Sequence, residues 1–347
     1  MLDELVEEIL LRFPPDEPAS LFRAALTCKR WCGLVSAPGF RRRFRELHRS
    51  PPLLGFVYCG ERDSRFMPTS ARPPHADFPA GWKVVDARHG RVLFDCFGYS
   101  RHDLIVSHPI TGEVRRQPAP LRVHGICCGW SAALLCAAAG GPFLVVFVAT
   151  DSSMESTSAC VYSSEAGTWS EATSIEHPMD YVIRGRCALV GDVTAYFVMG
   201  MTERILEYDL NKQQLSFIAL PSVCFDCPPY LMTMENGGLG FVVMPKKSSK
   251  LQLWSREAGQ NGWGWAKLRV IDLKILLPNR SLPSQPHMVT FAGGANNEVF
   301  LWTPGTGVFS IHLKSDRVTM FGKDGDYFLN FVPYSTFYTP SLQGPRY

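Results

Sequence analysis

Residues 205–221 read ILEYDLNKQQLSFIALP. Two β-prone runs, ILEYD and QLSFIA, flank a polar centre, and Pro221 closes the unit. The stretch therefore predicts a strand, a tight turn and a returning strand. The arrangement recurs in LIVSHPITGEVRRQP (104–118), ACVYSSEAGTWSEA (159–172), LQLWSREAGQNGWGWAKL (251–268) and VFLWTPGTGVFSIHL (299–313). Turn centres taken at Gly112, Gly167, Gln213, Gly259 and Gly307 lie 55, 46, 46 and 48 residues apart. Further strand-like runs fall between them: RHGRVLFD (88–95), ALVGDVTAYFVMG (188–200), GGLGFVVMP (237–245) and VTFAGGANNEVFLW (289–302).

A period of about 45 to 50 residues with several strands per unit marks a β-propeller blade. One small sheet cannot bury both of its faces alone; radial stacking of blades buries them and protects the edges. Five hairpins are visible, and the segments before Pro118 and after Ser315 supply a further blade or close the ring. Six and seven blades are both open, with closure by pairing of N- and C-terminal strands in one blade. A pair of β-sandwiches is the competing architecture.

The chain has 347 residues, which predicts two or three domains, or one small and one large. Hydrophobic residues make up 46% and charged residues 19%, ample for a core and inconsistent with wholesale disorder. The net charge of +3 is too weak to argue for nucleic-acid binding, and none is expected. The acidic, amphipathic start MLDELVEEILLRF is unlike a secretory signal. Eleven scattered cysteines, an odd number, then favour a reducing compartment, the cytoplasm and/or the nucleus, with thiols acting as small buried hydrophobes. Ala132–Ala149 carries no charge over 18 residues, close to the length of a membrane span. Gly140-Gly141-Pro142 splits that run, so two buried strands around a turn are expected and no membrane association.

The first fifty residues read differently. Leu5, Ile9, Leu10 and Phe13 follow a helical spacing, and Asp3, Glu4, Glu7 and Glu8 favour the dipole of the first turns. Pro14-Pro15 stops this helix, and Asp16 or Ser20 can cap a second, SLFRAALTCKRWCGLVS. There Leu21, Ala25, Cys28 and Cys32 share a face, with Phe22, Leu26 and Trp31 nearby. A third helix, FRRRFRELH, sets Phe40, Phe44 and Leu47 against a basic side of Arg41, Arg42, Arg43, Arg45 and Arg49. So small a module is marginal alone, and its apolar residues exceed one internal stripe. Some of Leu5, Ile9, Leu10, Phe13 and Pro14 are expected to face a partner; packing wholly onto the following domain is the alternative.

DELVEEILLRFPPDEPASLFRAALTCKRWCGLVSAPGF resembles an F-box over about the first 45 residues. Asp3, Glu4, Leu5, Ile9, Leu10, Phe13, Pro14, Leu21, Leu26, Cys28, Lys29, Trp31 and Phe40 stand in the places of that family's pattern. Met1-Leu2 replaces its opening Leu-Pro, and Phe13-Pro14 its second. The resemblance implies docking on the Skp-type adaptor of an SCF (cullin–RING) ubiquitin ligase through Leu2, Leu5, Ile9, Leu10, Phe13, Pro14, Leu21, Leu26 and Trp31. The phrases DARHGRVLF and HPITGEVRRQP, and the Trp-rich pattern over 207–268, resemble the β-propeller-like domain that follows the F-box in large plant families. The fold expected is thus α+β multidomain: a small all-α F-box module (1–48), an all-β propeller (49–340) and a tail (341–347).

Other candidate chemistry is thin. Cys224 and Cys227 form Cys-x-x-Cys, but zinc needs four ligands and no second pair lies nearby; ordinary loop thiols are expected. Gly129-Trp130-Ser131 faintly resembles a nucleophile elbow, with Ala133 where Gly belongs. Gly237-Gly238-Leu239-Gly240 and Gly293-Gly294 read as hairpin turns, as does Asp324-Gly325-Asp326. Arg41–Arg49 could contact phosphate or direct nuclear import, but a solvated helix face is the simpler reading. His89, His102, His108, His124 and His287 form no metal-binding spacing. The expectation is a non-catalytic receptor subunit without cofactor or metal, partnered by adaptor and cullin, whose propeller loops hold an unknown target protein. The rivals are a ligase-independent scaffold and an enzyme or carbohydrate-binding module built on the propeller.

Overall fold

The computed structural model describes residues 2–60, 63–69, 73, 75–97, 102–120, 127–136, 141–191, 193–225, 227–246, 248–259, 262–277, 290–293, 298–303, 306–321 and 330–339. Four helices open the chain: α1 (Leu2–Leu11), α2 (Pro18–Thr27), α3 (Lys29–Ser36) and α4 (Pro38–His48). The stretch expected as a single second helix is broken at Cys28, whose φ of −158° and ψ of 160° are extended. The N-cap of α2 is Glu17, not Asp16 or Ser20, with Pro18 in the first turn. Leu10, Leu11, Leu21, Ala24, Ala25, Val35, Phe40 and Phe44 form the helical core. Arg43 of α4 reaches Glu7 at 2.8 Å and also Glu8, and Arg30 of α3 pairs with Asp3, so salt bridges lace three helices at the surface. His48 Nε2 lies 2.9 Å from the Leu11 carbonyl.

The rest is a six-bladed β-propeller. β1 (Leu53–Cys59) and β2 (Ser64–Pro68) begin blade one. Blade two holds β3 (Trp82–Arg88), β4 (Arg91–Phe97), β5 (His102–His108) and β6 (Glu113–Pro118). Blade three holds β7 (Gly129–Cys136), β8 (Phe143–Thr150), β9 (Ser156–Ser163) and an outer strand split into β10 (Thr168–Trp169) and β11 (Thr173–Glu176). Blade four holds β12 (Val182–Val190), β13 (Thr194–Met199), β14 (Arg204–Asp209) and β15 (Gln214–Ala219). Blade five holds β16 (Tyr230–Thr233), β17 (Leu239–Val243), β18 (Lys250–Gly259) and β19 (Gly262–Asp272), followed by a short helix, α5 (Leu273–Leu276). Blade six holds β20 (Thr290–Gly293), β21 (Glu298–Thr303), β22 (Gly307–His312) and β23 (Val318–Phe321). β24 (Asn330–Ser335) then returns to blade one and pairs antiparallel with β1, Val57 opposite Val332. The ring is therefore closed by the two ends of the propeller, and the innermost strands β24, β3, β7, β12, β16 and β20 touch in that order around the axis.

Each apolar cluster of the propeller lies between two adjacent blades, and there are six such clusters among the described residues. Strand period explains this. In β8, Val145 and Phe147 pack toward blade two while Val146 and Val148 pack toward blade four. The uncharged run is thus two paired strands buried on both faces, with Cys136 opposite Phe143. Residues 137–140 of the predicted turn lie outside the described residues. Among the described residues no helix is long and apolar enough to cross a membrane.

The repeat unit is also sharper than its sequence spacing. In blades two, three, four and six the turn between the third and fourth strands places Gly112, Gly167, Gln213 and Asp316 at φ of 73°, 71°, 52° and 56°. The amides of Gly112 and Gly167 bond the carbonyls of His108 and Ser163, and that of Asp316 the carbonyl of His312. Gly307, read above as the fifth equivalent turn, instead joins the second and third strands of blade six. The glycine drew the reading to the wrong hairpin because Asp316 fills the left-handed position in the right one.

Candidate docking surfaces

The helical module divides its apolar side chains between two opposite faces of α1. Leu10 and Leu11 turn into the core with Val6, while Leu5 and Ile9, one turn apart, are each 61% exposed. Leu26 of α2 is 82% exposed, and Pro14 is also exposed. Phe13 and Trp31 are half-buried against the core. The helical backbone includes Leu2, but its side chain lies outside the described residues. Leu10 and Leu21 do not belong to a surface: each is within 2% of full burial and supports the module from inside. Sequence spacing grouped Leu10 with Leu5 and Ile9 because a helix of mixed apolar positions does not declare which face meets its own neighbours. Leu47, assigned to the buried side of α4, is exposed.

The basic run is partly spent internally. Arg43 holds α1, Arg41 donates to the Ser36 carbonyl at 2.7 Å, and Arg42 lies 3.8 Å from Glu46 one turn on.

Two residues missed by the sequence reading fix the module on the propeller. After β24, Phe337 packs on the helical core and meets the Phe44 ring, and the Tyr338 ring meets Phe22 with centroids 4.7 Å apart. The aromatic string FVPYSTFYTP after blade six was the available signal. The helices therefore adjoin the face on which the inner strands end. The opposite face is formed by loops that enter inner strands or join second strands to third. Among them Met179 and Met201 are exposed, as is Phe225. Near the axis, β12 bulges between Val182 and Cys187 and carries Arg184 to Asp95 of blade two at 2.8 Å, over the Trp130 ring at 4.5 Å. Asp86 is committed likewise, to Arg88 at 3.0 Å and to the Leu134 amide at 2.9 Å.

The remaining candidates are placed in the blades. Gly129-Trp130-Ser131 opens the inner strand β7, which is followed by another strand and not a helix. Gly237 takes φ of 77° in the turn between β16 and β17. Cys224 is buried, which pushes its thiol up to about 12, and the Cys227 amide bonds its carbonyl at 3.3 Å. Among the described residues no three His, Cys, Asp or Glu side chains gather as metal ligands. Gly294, Asp324-Gly325-Asp326, His124, His287, the His102 side chain and the tail 341–347 lie outside the described residues.

Comparison with known proteins agrees with this layout. Residues 1–43 match the F-box domain, and residues 83–342 match the β-propeller of F-box protein AT5G49610-like. No curated protein matches the sequence. Among solved structures, similarity extends to a protein of unknown function from Bacteroides thetaiotaomicron at 11% identity and a TM-score of 0.44, covering 76% of this chain and 64% of that one. A chain of the nidogen–laminin complex gives 9% identity and a TM-score of 0.46, covering 80% of this chain and 97% of that one. TolB from Acinetobacter baumannii gives 9% and 0.45, covering 84% and 70%. The chain thus spans less than two thirds of the Bacteroides protein's length. With the propeller match running over well over half of its residues behind an F-box, this chain belongs to the AT5G49610-like β-propeller family of F-box proteins.

Proposed function

We propose that the chain is the substrate-recognition subunit of an SCF-type ubiquitin ligase, working in the cytoplasm and/or nucleus. F-box domains in general bind Skp-type adaptors, and an F-box joined to a propeller has the architecture of a substrate receptor. The observation that carries the proposal is the stripe of Leu5 and Ile9, directed away from the core that Leu10 and Leu11 fill. A helix presenting such a stripe gains by burying it in a partner's apolar groove. In this reading Leu2, Leu5, Ile9, Pro14 and Leu26 touch the adaptor, Phe13 and Trp31 border the contact, and Leu10 and Leu21 hold the surface in shape. Cullin and the other subunits supply the ubiquitin chemistry, and the propeller presents the target on the face remote from the helices. The chain itself then performs no catalysis.

The test is adaptor pull-down with Leu5→Asp and Ile9→Asp combined. Binding is expected to disappear while the propeller's unfolding transition is unchanged. Retention of adaptor by the folded double variant would refute the docking assignment.

A further inference from the structure

The propeller face remote from the helices carries a rigid, methionine-bearing platform across blades three and four. Asp180 builds it. This carboxylate is 1% exposed, and its Oδ1 accepts the amides of Tyr181 and Met201, each at 2.8 Å, while Thr202 Oγ1 donates to Oδ2. The Gly200 amide bonds the Tyr181 carbonyl at 2.7 Å. The loop 151–156 joins through the Asp180 amide to the Met154 carbonyl at 3.0 Å and the His177 amide to the Glu155 carbonyl at 2.8 Å. The Leu220 amide on the Glu203 carbonyl, 2.8 Å, ties in the segment that leads to Phe225. Four segments around blades three and four are therefore tied to one another. On this platform Met179 is 59% exposed and Met201 56%, and Phe225, farther along the last of these segments, is 71% exposed. Methionine is flexible and polarizable, and an exposed group of methionines accommodates apolar partners of varied shape.

The described loops of this patch are mainly acidic. They carry Asp151, Glu155, Glu176 and Glu203 beside the buried Asp180, against Arg204 and, toward the axis, Arg184, which pairs with Asp95 at 2.8 Å. Glu155 and Glu176 are exposed beside the platform's loops, and Glu203 is partly so. Arg204 lies over the Phe217 ring at 5.6 Å. We infer that this platform is the target-docking surface and that it takes a protein segment whose apolar side chains are flanked by Lys or Arg. The inference rests on the receptor reading above and deepens it: the apolar group supplies the anchor, and the acidic surround selects sign and speeds encounter.

The test titrates a fluorescent amphipathic Leu/Lys peptide, and its Leu/Glu counterpart, onto the full-length chain. Met179→Asp with Met201→Asp is expected to weaken Leu/Lys binding by at least ~tenfold, as for loss of an interface anchor. That variant adds negative charge, so binding governed by charge alone would strengthen instead, and unchanged or tighter binding overturns the inference. Glu155→Lys with Glu176→Lys is expected to weaken binding ~3–10-fold and to reduce its salt dependence. Equal affinity for the Leu/Glu peptide also overturns it. All four substituted side chains are exposed, and an unchanged unfolding midpoint verifies the fold. Adaptor pull-down is read in parallel. Failure of the unsubstituted chain to bind the Leu/Lys peptide, with adaptor retained, sinks this inference alone, whereas lost adaptor binding with the peptide pattern intact sinks the ligase reading.

Discussion

The Phe44 and Phe337 rings meet edge to face, centroids 6.0 Å apart and planes at 83°, joining the last helix of the F-box to the residue just past the strand that closes the propeller. Closure and module orientation are thus one structural event. β24 completes blade one, the Thr336 amide bonds the Pro52 carbonyl at 3.2 Å, and the next two aromatics land on the helices. On the proposed receptor role, adaptor-facing and target-facing surfaces need a fixed relation, and these few residues would hold it.

Phe337→Ala with Tyr338→Ala should therefore free the helices from the propeller without opening the ring. Each ring lost from a partly buried aromatic contact costs about 1–2 kcal/mol. Limited proteolysis should cut near Arg49–Pro52 faster than in the parent chain, while the main unfolding transition stays in place. Unchanged cleavage would show that the rings contribute nothing to module placement.

The two faces of α1 should respond oppositely to truncation. Leu10→Ala removes a core side chain and should destabilise the helical module by about 2–4 kcal/mol. Leu5→Ala, at an exposed position, should change stability by less than about 0.5 kcal/mol yet weaken adaptor binding. Chemical denaturation followed by helical circular dichroism, beside adaptor titration, separates the two effects.

The turn between β14 and β15 offers a stabilising change. Gln213 occupies φ of 52° where the equivalent residues of blades two and three are glycine. Gln213→Gly should remove left-handed strain and stabilise by up to about 1 kcal/mol. Gly129→Ala should do the reverse, because a Cβ there would lie 2.5 Å from the Val182 carbonyl oxygen where inner strands of neighbouring blades meet. A loss of more than about 2 kcal/mol is expected from such overpacking. Gly33 has nothing within 4 Å of the same position and should accept alanine with a gain. Urea midpoints of the three variants decide.

Stability should fall at both ends of the pH range. Burial, with the nearby Arg91 charge and against Glu113, lowers the His108 pKa from 6.5, so the fold holds the ring neutral. Its contribution is present above 6.5 and lost as pH falls below, because the unfolded chain takes up the proton. At alkaline pH the buried thiols of Cys160 and Cys224, pushed up to about 12, favour the fold below the ordinary value of 9.0 and cease to as pH rises toward their own. Urea denaturation across about pH 5 to 10 should show both limbs, with His108→Gln flattening the acid one. A thiol reagent should modify the exposed Cys28 and Cys128 at once and Cys160 and Cys224 only on unfolding.

Much of this architecture was legible because strand and helix periods are local. ILEYDLNKQQLSFIALP became β14, its turn and β15, and the uncharged run became β7 and β8. Blade number was not legible: Gly307 lay in the wrong hairpin of its blade, and Asp316 in the right one carries no glycine signature. The split of α2 from α3 at Cys28 was hidden for a similar reason, since one extended residue hardly disturbs a helical spacing.

By itself the sequence determined the order of parts, about fifty residues of helix-forming sequence and then a β repeat, and the apolar excess of the first module. Those are properties of neighbouring residues. Only the tertiary structure decided that six blades close the ring, that Leu10 lies inward while Leu5 and Ile9 remain outside, that Phe337 and Tyr338 bind the helices, and that Met179 and Met201 share one platform. Each of these depends on contacts between segments distant in the chain, and burial is settled by which surfaces meet, not by the pattern that either surface carries alone.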